Sequence, residues 1–245
     1  MNRLPRPKGL AMTDKIMLLE ICANSYQSAK NAQDAGAHRI ELCQELSVGG
    51  VTPSYGLLKQ VMNTLSIPVY PLIRPRSGNF VCSEEEFEII KHDIQLCKDL
   101  GCAGIVSGIL NKDNTIDIER TKELIELSKP LQFTFHRAFD IAENPFEALE
   151  QIIDLGVDRV LTSGQATSAE QGIELLKQLN KQAKGRITIL AGSGINSSNA
   201  KLFKEAGFSE IHASASSKME IKKSLFSEPQ TYSDPIKIKA ILDAI

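Results

Sequence analysis

One pattern, which occurs four times, indicates the fold: GAHRIELC (residues 36–43), GCAGIVSG (101–108), GVDRVLTS (156–163) and GFSEIHAS (207–214). Each copy begins with a glycine after an amphipathic stretch and continues through polar or small residues into a short apolar run. A glycine that ends a helix in a left-handed conformation, with a strand after it, produces this pattern. The chain is therefore predicted to contain four helix-to-strand connections of one type.

Four further strand-like runs lie among these copies: LLEICA (18–23), IPVYPLIRP (67–75), LQFTFHRAF (131–139) and RITILAGSG (186–194). Each is followed by a helical stretch, so the total is eight strand-then-helix units. Eight units in 245 residues match a closed TIM-type (β/α)8 barrel. The competing fold, an open doubly wound sheet, would have its glycine-rich phosphate turn after the first strand, which here ends in CANS. We predict an α/β protein with a single (β/α)8 barrel domain over residues 16–245, after a disordered lead-in at residues 1–15.

Composition argues against several classes of partner. The net charge is −2, aromatic residues make up 5% of the chain, and no run of Lys or Arg occurs, so no nucleic-acid partner is predicted. No apolar stretch has the length of a membrane span and residues 1–15 lack a signal-peptide core, so we predict no membrane partner and a cytoplasmic location. Five widely spaced cysteines are typical of reduced thiols. The sequence does not decide between a monomer and a homo-oligomer.

The alternation of side chains along a strand predicts which residues face the barrel interior. In the first two strands the apolar side chains suit the helix side, which leaves Glu20, Cys22, Arg39, Glu41 and Cys43 inward. Aligning the four glycine copies extends this register to three interior layers, because alternate strands supply the members of one layer. The layers are Arg39, Gly104, Arg159 and Glu210; then Glu41, Val106, Leu161 and His212; then Cys43, Gly108, Ser163 and Ser214. The first layer is interpreted as a structural ion network on the barrel floor.

A candidate site is predicted at the carboxyl ends of the strands, where barrels of this type carry their chemistry. His136 is a candidate proton carrier there, with Glu20 or Glu41 as the partner acid or base. Planar guanidinium groups suit phosphate or carboxylate, and the turns AGSG and HASAS offer backbone N–H groups. The substrate-binding or anion-binding candidates are Arg74, Arg76, Arg137, Asp140, Ser163, Gly192, Ser193, Gly194, His212 and Ser214. This set favours an enzyme of unassigned reaction that acts on a small phosphorylated or carboxylated metabolite.

Two cysteines favour a different chemistry. Cys22 and Cys43 end the similar triplets Glu-Ile-Cys and Glu-Leu-Cys on neighbouring strands, which lie roughly 5 Å apart in a sheet. Two thiolates are soft ligands that suit Cu(I). Small buried cysteines that fill space in the core are the alternative interpretation.

Seven strings in order resemble the CutC family of copper homeostasis proteins: LLEICANS, RIELC, GGVTPS, YPLIRPRSGNF, FTFHRAFD, RVLTSGQ and LAGSGI. The resemblance runs from about Met17 to Ser216. It implies a single (β/α)8 barrel, a cytoplasmic location and a role in copper homeostasis, and it places Cys22 and Cys43 on the family's strand-one and strand-two motifs. No reaction is established for the family, so the resemblance assigns no catalytic residue. Two functions stay open: Cu(I) binding by the paired thiols, and the enzyme described above.

Overall fold

The computed structural model describes residues 16–219 and 230–245, and it forms a barrel of parallel strands. The predicted lead-in at residues 1–15 lies outside the described residues. The barrel strands are β1 (Leu18–Ala23), β2 (Arg39–Leu42), β3 (Val69–Pro71), β4 (Gly104–Ser107), β5 (Gln132–Phe135), β6 (Arg159–Thr162), β7 (Thr188–Gly192) and β8 (Glu210–Ala213). They pair in the order β3-β2-β1-β8-β7-β6-β5-β4, and a parallel bridge between Leu72 and Val106 closes the ring. The predicted (β/α)8 barrel is confirmed.

Helices alternate with the strands. They are α1 (Tyr26–Ala35), α2 (Tyr55–Thr64), α3 (Glu84–Asp99), α4 (Ile118–Ser128), α5 (Pro145–Asp154), α6 (Ile173–Ala183), α7 (Ala200–Glu205) and α8 (Pro235–Ala244). Short 3-10 turns follow β2 at Leu46–Val48 and β5 at Arg137–Ile141, and a small antiparallel pair joins β9 (Ser216–Lys218) to β10 (Thr231–Ser233). In the described part of the chain, no helix is both long enough and apolar enough to cross a bilayer.

The repeated glycines end helices as predicted. Gly36, Gly101, Gly156 and Gly207 have φ between 75° and 90°, a conformation that costs glycine little and other residues more. The predicted third strand, in contrast, shortens to Val69–Pro71. Pro71 has no N–H to donate to a ladder, and beyond it the pairing is reduced to single backbone hydrogen bonds from Leu72 to Leu42 and from Ile73 to Val106.

Most of the hydrophobic core lies between the barrel and the helices, where Leu19, Ile21, Ile40 and Leu42 are fully buried. The residues that alternate with them along each strand therefore face the barrel interior. Alternation along each strand thus separates an apolar outer layer from a polar interior.

Charged residues of the first layer form a buried network at the amino ends of the strands. Arg39 contacts the carboxylates of both Glu20 and Glu210, and Arg159 Nε lies 3.0 Å from Glu210 Oε2. Burial of these charges is tolerated because they pair with one another. The interior position predicted for Arg39, Arg159 and Glu210 is confirmed, and Glu20 joins them from the neighbouring strand.

The Tyr70 ring lies between the two arginines of this network, with its centroid 5.4 Å from Arg39 Cζ and 5.3 Å from Arg159 Cζ. Gly104 makes this arrangement possible, because a Cβ at that position would collide with the Tyr70 ring and with the Gln132 carbonyl oxygen. Gly104, the glycine of the predicted first layer, thus leaves room for an aromatic ring. The amino end of the barrel is consequently filled by side chains.

Candidate functional site

A cavity of about 470 Å³ lies at the carboxyl ends of the strands. This volume falls within the roughly 300–1,000 Å³ typical of small-molecule sites. Its wall includes many of the predicted site residues, namely Cys22, Glu41, Arg74, His136, Arg137, Asp140, Ser193, Gly194, His212 and Ser214. The remaining predicted residues, Glu20, Cys43, Arg76, Ser163 and Gly192, lie outside the cavity wall.

The two predicted cysteines meet at the base of this cavity. Cys22 Sγ lies 3.6 Å from Cys43 Sγ, both residues are buried, and both are free thiols. Cys22 Sγ also donates a hydrogen bond to Glu41 Oε2 at 3.2 Å. The neighbouring Cys43 thiol, burial and the nearby Glu41 carboxylate raise the pKa of Cys22. In the absence of a cation, the Cys22 thiol therefore keeps its proton.

His212 connects this thiol pair to the barrel floor. Its Nδ1 lies 2.7 Å from Glu20 Oε1, and its Nε2 lies 3.7 Å from Glu41 Oε2. Burial alone would lower the pKa of His212, but the Glu20 hydrogen bond and the charges of Glu41 and Glu20 outweigh burial and raise this pKa. An unbroken series of polar contacts thus runs from Arg39 through Glu20, His212 and Glu41 to Cys22.

The two carboxyl groups of this series differ in their protonation. Burial raises the pKa of Glu20, but the Arg39 charge and the His212 hydrogen bond outweigh it and lower the pKa to about 2. Burial also raises the pKa of Glu41, and there its effect prevails. Glu20 is therefore a fixed anion within the ion network, whereas Glu41 takes up a proton more readily than an ordinary glutamate.

The base of the cavity has the donor atoms of a metal site. One donor atom each from Cys22, Glu41 and His212 lies within 4.8 Å of the others, and Cys43 adjoins them. Metal-binding histidines commonly use their second ring nitrogen to bond a carboxylate, as His212 does with Glu20. Thiolates suit soft metals, and imidazole suits copper and zinc. The residues present therefore fit a soft or borderline metal ion.

His136 occupies a more apolar part of the wall. Its Nδ1 accepts a hydrogen bond from the Ala138 backbone N–H at 3.2 Å, and the Phe80 ring lies 4.8 Å from the imidazole ring. Burial, together with the Arg74 charge, lowers the pKa of His136 to about 3. Near pH 7 the ring is neutral, with its proton on Nε2, so it can donate a hydrogen bond but is a weak base. Its role as a proton carrier stays a prediction.

The two arginines of the third-strand motif point to different places. Arg74 donates to three backbone carbonyls, those of Val48 (3.1 Å), Gly50 (3.0 Å) and Gly78 (2.8 Å), and so joins the loops that follow β2 and β3. Arg76 lies away from the cavity and pairs with Glu86 at the start of α3. Alternate residues of an extended segment face the same side, but the chain turns after Arg74, so strand parity does not carry over to Arg76.

Arg137 and Asp140 form a rigid unit at the cavity wall. Arg137 Nε lies 2.7 Å from Asp140 Oδ2, and its NH2 group donates to Ser163 Oγ at 3.1 Å. Asp140 also accepts from the Ser163 N–H and from Thr162 Oγ1. The Arg137 side chain nevertheless remains 45% exposed. It is a cation held in place beside the cavity.

Sequence reasoning missed the apolar part of the wall. Leu46, Val48, Phe80 and Ile141 line the cavity from loops and 3-10 turns. These segments have no periodicity, so parity could not orient them. Their position directly after the strands was the available signal, since loops at that end build the sites of such barrels.

Fold and site together define a TIM-type barrel protein with a soft-metal donor set at the base of a cavity. The family model described as CutC family matches residues 17–217. The chain is 50% identical over 197 residues to a CutC family protein of Proteus mirabilis (80% of this chain, 78% of that protein). It is 46% identical over 212 residues to a human protein named copper homeostasis protein cutC homolog (86% and 78%).

A solved structure named for a copper homeostasis protein CutC of Streptococcus agalactiae has a TM-score of 0.76 to this chain. It is 33% identical, and the match covers 81% of this chain and 99% of that one. The chain therefore belongs to the CutC family, and the resemblance expected from the seven sequence strings is confirmed.

Proposed function

We propose that this protein binds Cu(I) through the thiols of Cys22 and Cys43 and serves copper homeostasis in the cytoplasm. The observation that carries the proposal is the 3.6 Å distance between the two sulfurs, neither of which is in a disulfide. With metal–thiolate bonds of about 2.3 Å, a metal bound trigonally by two thiolates holds the sulfurs about 4 Å apart. Small side-chain rotations would therefore admit the ion.

The surroundings of the pair suit a monovalent soft ion. Cys22 and Cys43 pack with Tyr70, Leu72 and Val106, an apolar shell that disfavours hydrated ions. Two thiolates and one Cu(I) carry a net charge of −1, and the neighbouring His212, whose pKa is raised, can offset this charge. The human relative's name supports the same role, and five free cysteines are consistent with a reducing compartment.

Zn²⁺ is a second candidate, because Cys22, Glu41 and His212 provide one donor atom each within 4.8 Å. Zinc accepts thiolate, carboxylate and imidazole ligands, whereas Cu(I) needs little beyond thiolates. The two metals therefore differ in how much they depend on Glu41 and His212.

Competition titration of the reduced protein against a Cu(I) chelator tests the proposal. We expect the variant Cys22→Ser/Cys43→Ser to lose the affinity that the unchanged protein shows. The matched control is Cys97→Ser/Cys102→Ser, since Cys97 and Cys102 are also buried free thiols that interact with each other. Equal Cu(I) affinity in the two double variants would contradict the proposal. If zinc is the bound metal, Glu41→Gln and His212→Gln should weaken Zn²⁺ binding strongly. Cu(I) should then bind no more tightly than Zn²⁺.

The enzyme alternative has less support from the geometry. Glu20 is a fixed anion in the floor network, and His136 is neutral with its Nδ1 engaged by backbone. Neither group is suited to accept a proton near pH 7, so Glu41, whose pKa burial raises, is the one candidate acid or base that keeps this role as a prediction. The cavity above the thiols still requires an explanation of its own.

A further inference from the structure

The cavity is far larger than a metal ion requires. At about 470 Å³ it has the size of a small-molecule site. The metal donors Cys22, Glu41 and His212 supply only part of the wall. Most of the remaining wall has no role in copper binding, which indicates an organic molecule as a second occupant.

Two of the loops that line this cavity contain backbone N–H groups with no acceptor among the described residues. Ser193, Gly194 and Ser214, from the loops after β7 and β8, line the cavity, and their N–H groups make no hydrogen bond to any residue in the ranges that the structure describes. Ser193 and Gly194 lie in a bend with φ of 87° and 75°, and successive N–H groups in a turn can form a concave anion-binding site. Backbone donors in a partly buried place require an acceptor.

Arg137 adds a positive charge to the same cavity. Its guanidinium is oriented by Asp140 Oδ2 at 2.7 Å and by Ser163 Oγ at 3.1 Å, through Nε and Nη2. The remaining nitrogen, Nη1, makes no hydrogen bond within the described residues. The Asp140 carboxylate offsets part of this charge, but Asp140 is itself held by the Ser163 N–H and Thr162 Oγ1. Arg137 is thus pre-oriented, with one donor group left for a ligand.

The mouth of the cavity is apolar. Val48 and Ile141 both line it, and each is 46% exposed. Leu46 and Phe80 extend this apolar surface inward. A ligand with an apolar body would bury these side chains and gain the free energy of removing apolar surface from water.

We propose that the cavity binds a small phosphate ester with a partly apolar body. The phosphate lies on Arg137 and the N–H groups of Ser193, Gly194 and Ser214, and the body contacts Val48 and Ile141. Three terminal phosphate oxygens match several backbone donors and a guanidinium better than the two oxygens of a carboxylate do. Barrels of this type frequently bind phosphate in the loops after the seventh and eighth strands. This inference does not depend on copper binding.

Isothermal calorimetry with phenyl phosphate, inorganic phosphate and benzoate tests the inference. We expect phenyl phosphate to bind more tightly than the other two, because it alone combines the phosphate with an apolar body. Arg137→Gln should weaken phenyl phosphate binding about tenfold, the loss of one charge-assisted contact. The matched control is Arg76→Gln, since Arg76 is 42% exposed and also pairs with a carboxylate, Glu86, but lies outside the cavity.

Two results would overturn the inference: no binding of phenyl phosphate at millimolar concentration, or equal weakening by Arg137→Gln and Arg76→Gln. Should Arg137→Gln fail to fold, Ile141→Glu keeps the guanidinium but replaces an apolar residue of the mouth with a negative charge, and it should weaken binding similarly. Unchanged binding in Ile141→Glu would then count against the site. The variant Cys22→Ser/Cys43→Ser should retain phenyl phosphate binding even where it loses Cu(I), which separates this inference from the copper proposal.

Discussion

At the scale of single residues, Glu20 connects the structural and functional parts of the barrel. Its carboxylate contacts Arg39 on one side and His212 Nδ1 on the other. The first contact belongs to the ion network of the floor, and the second orients a candidate metal ligand. Glu20, which Arg39 holds in the ion network, therefore fixes the orientation of His212 at the base of the cavity.

Removal of the Glu20 charge should destabilise the protein in a pH-dependent way. Since the pKa of Glu20 falls from 4.5 to about 2 on folding, its ionised form adds stability above pH 4.5, and this stability is lost as the pH falls toward 2. We expect Glu20→Gln to lower the free energy of unfolding by roughly 3 kcal/mol at pH 7, because Arg39 loses a buried partner. Urea denaturation at several pH values measures the difference.

Glu150 provides the control for this prediction. Its pKa is also lowered to about 2, by hydrogen bonds from Arg186 and Gln182, but it is on the surface. Solvent screening makes such pairs weak, so Glu150→Gln should have little effect on the free energy of unfolding. The unchanged protein and Glu20→Gln should differ less in their free energy of unfolding as the pH falls toward 2. A difference that is as large at pH 2 as at pH 7 would contradict the lowered pKa of Glu20.

At the scale of strands and helices, the interior layers fix which residue types each strand accepts. Gly104 in β4 faces Tyr70, and a Cβ there would meet the ring and the Gln132 carbonyl oxygen. Gly56, in helix α2, has open space around the same position. The close contact of Tyr70 therefore requires glycine at position 104, whereas the space around Gly56 admits a larger residue.

Gly104→Ala should therefore destabilise the protein by about 1–3 kcal/mol, the usual effect of overpacking a filled core. Gly56→Ala should instead stabilise it by about 0.5–1 kcal/mol, because alanine is the better helix former. Thermal or urea denaturation of both variants measures these effects. A neutral Gly104→Ala variant would mean that Tyr70 does not occupy the position described.

The loops at the cavity are also held by an element-scale contact. Arg74 donates to the carbonyls of Val48, Gly50 and Gly78, so Arg74→Ala would leave three backbone acceptors without this partner. We expect a loss of about 1–3 kcal/mol in the free energy of unfolding, since the carbonyl of buried Gly50 would lose its hydrogen-bond partner. Arg76→Ala, which changes an exposed neighbour, should lose much less. Equal losses measured by urea denaturation would contradict the loop-joining role of Arg74.

At the scale of the whole molecule, local patterns predicted most of the barrel. The glycine copies fixed the inward residues of β2, β6 and β8, because alternation is a property of each strand alone. The meeting of Cys22 and Cys43 followed from the adjacency of β1 and β2. Family membership followed from motifs that span the barrel.

The inward orientation of Glu20 was predicted, but its level along the barrel axis could not be predicted from the sequence. Glu20 pairs in register with Arg39 in β2 and with His212 in β8, which the glycine alignment places in different layers. This offset is the stagger that closes a barrel, and it depends on all strands together. The same limit applies to Arg76 and to the apolar wall, because loop conformation depends on contacts between elements.

The arrangement of the two thiols also sets an order of events. Cys22 contributes to the cavity wall, whereas Cys43 lies behind it. Under the proposed function, an ion that enters from the cavity meets the sulfur of Cys22 before that of Cys43, and it departs in the reverse sequence. Transfer of copper between this protein and a carrier would then pass through a state in which only Cys22 binds the ion. The rate of exchange would therefore depend on Cys22, and the affinity for copper would depend on both cysteines.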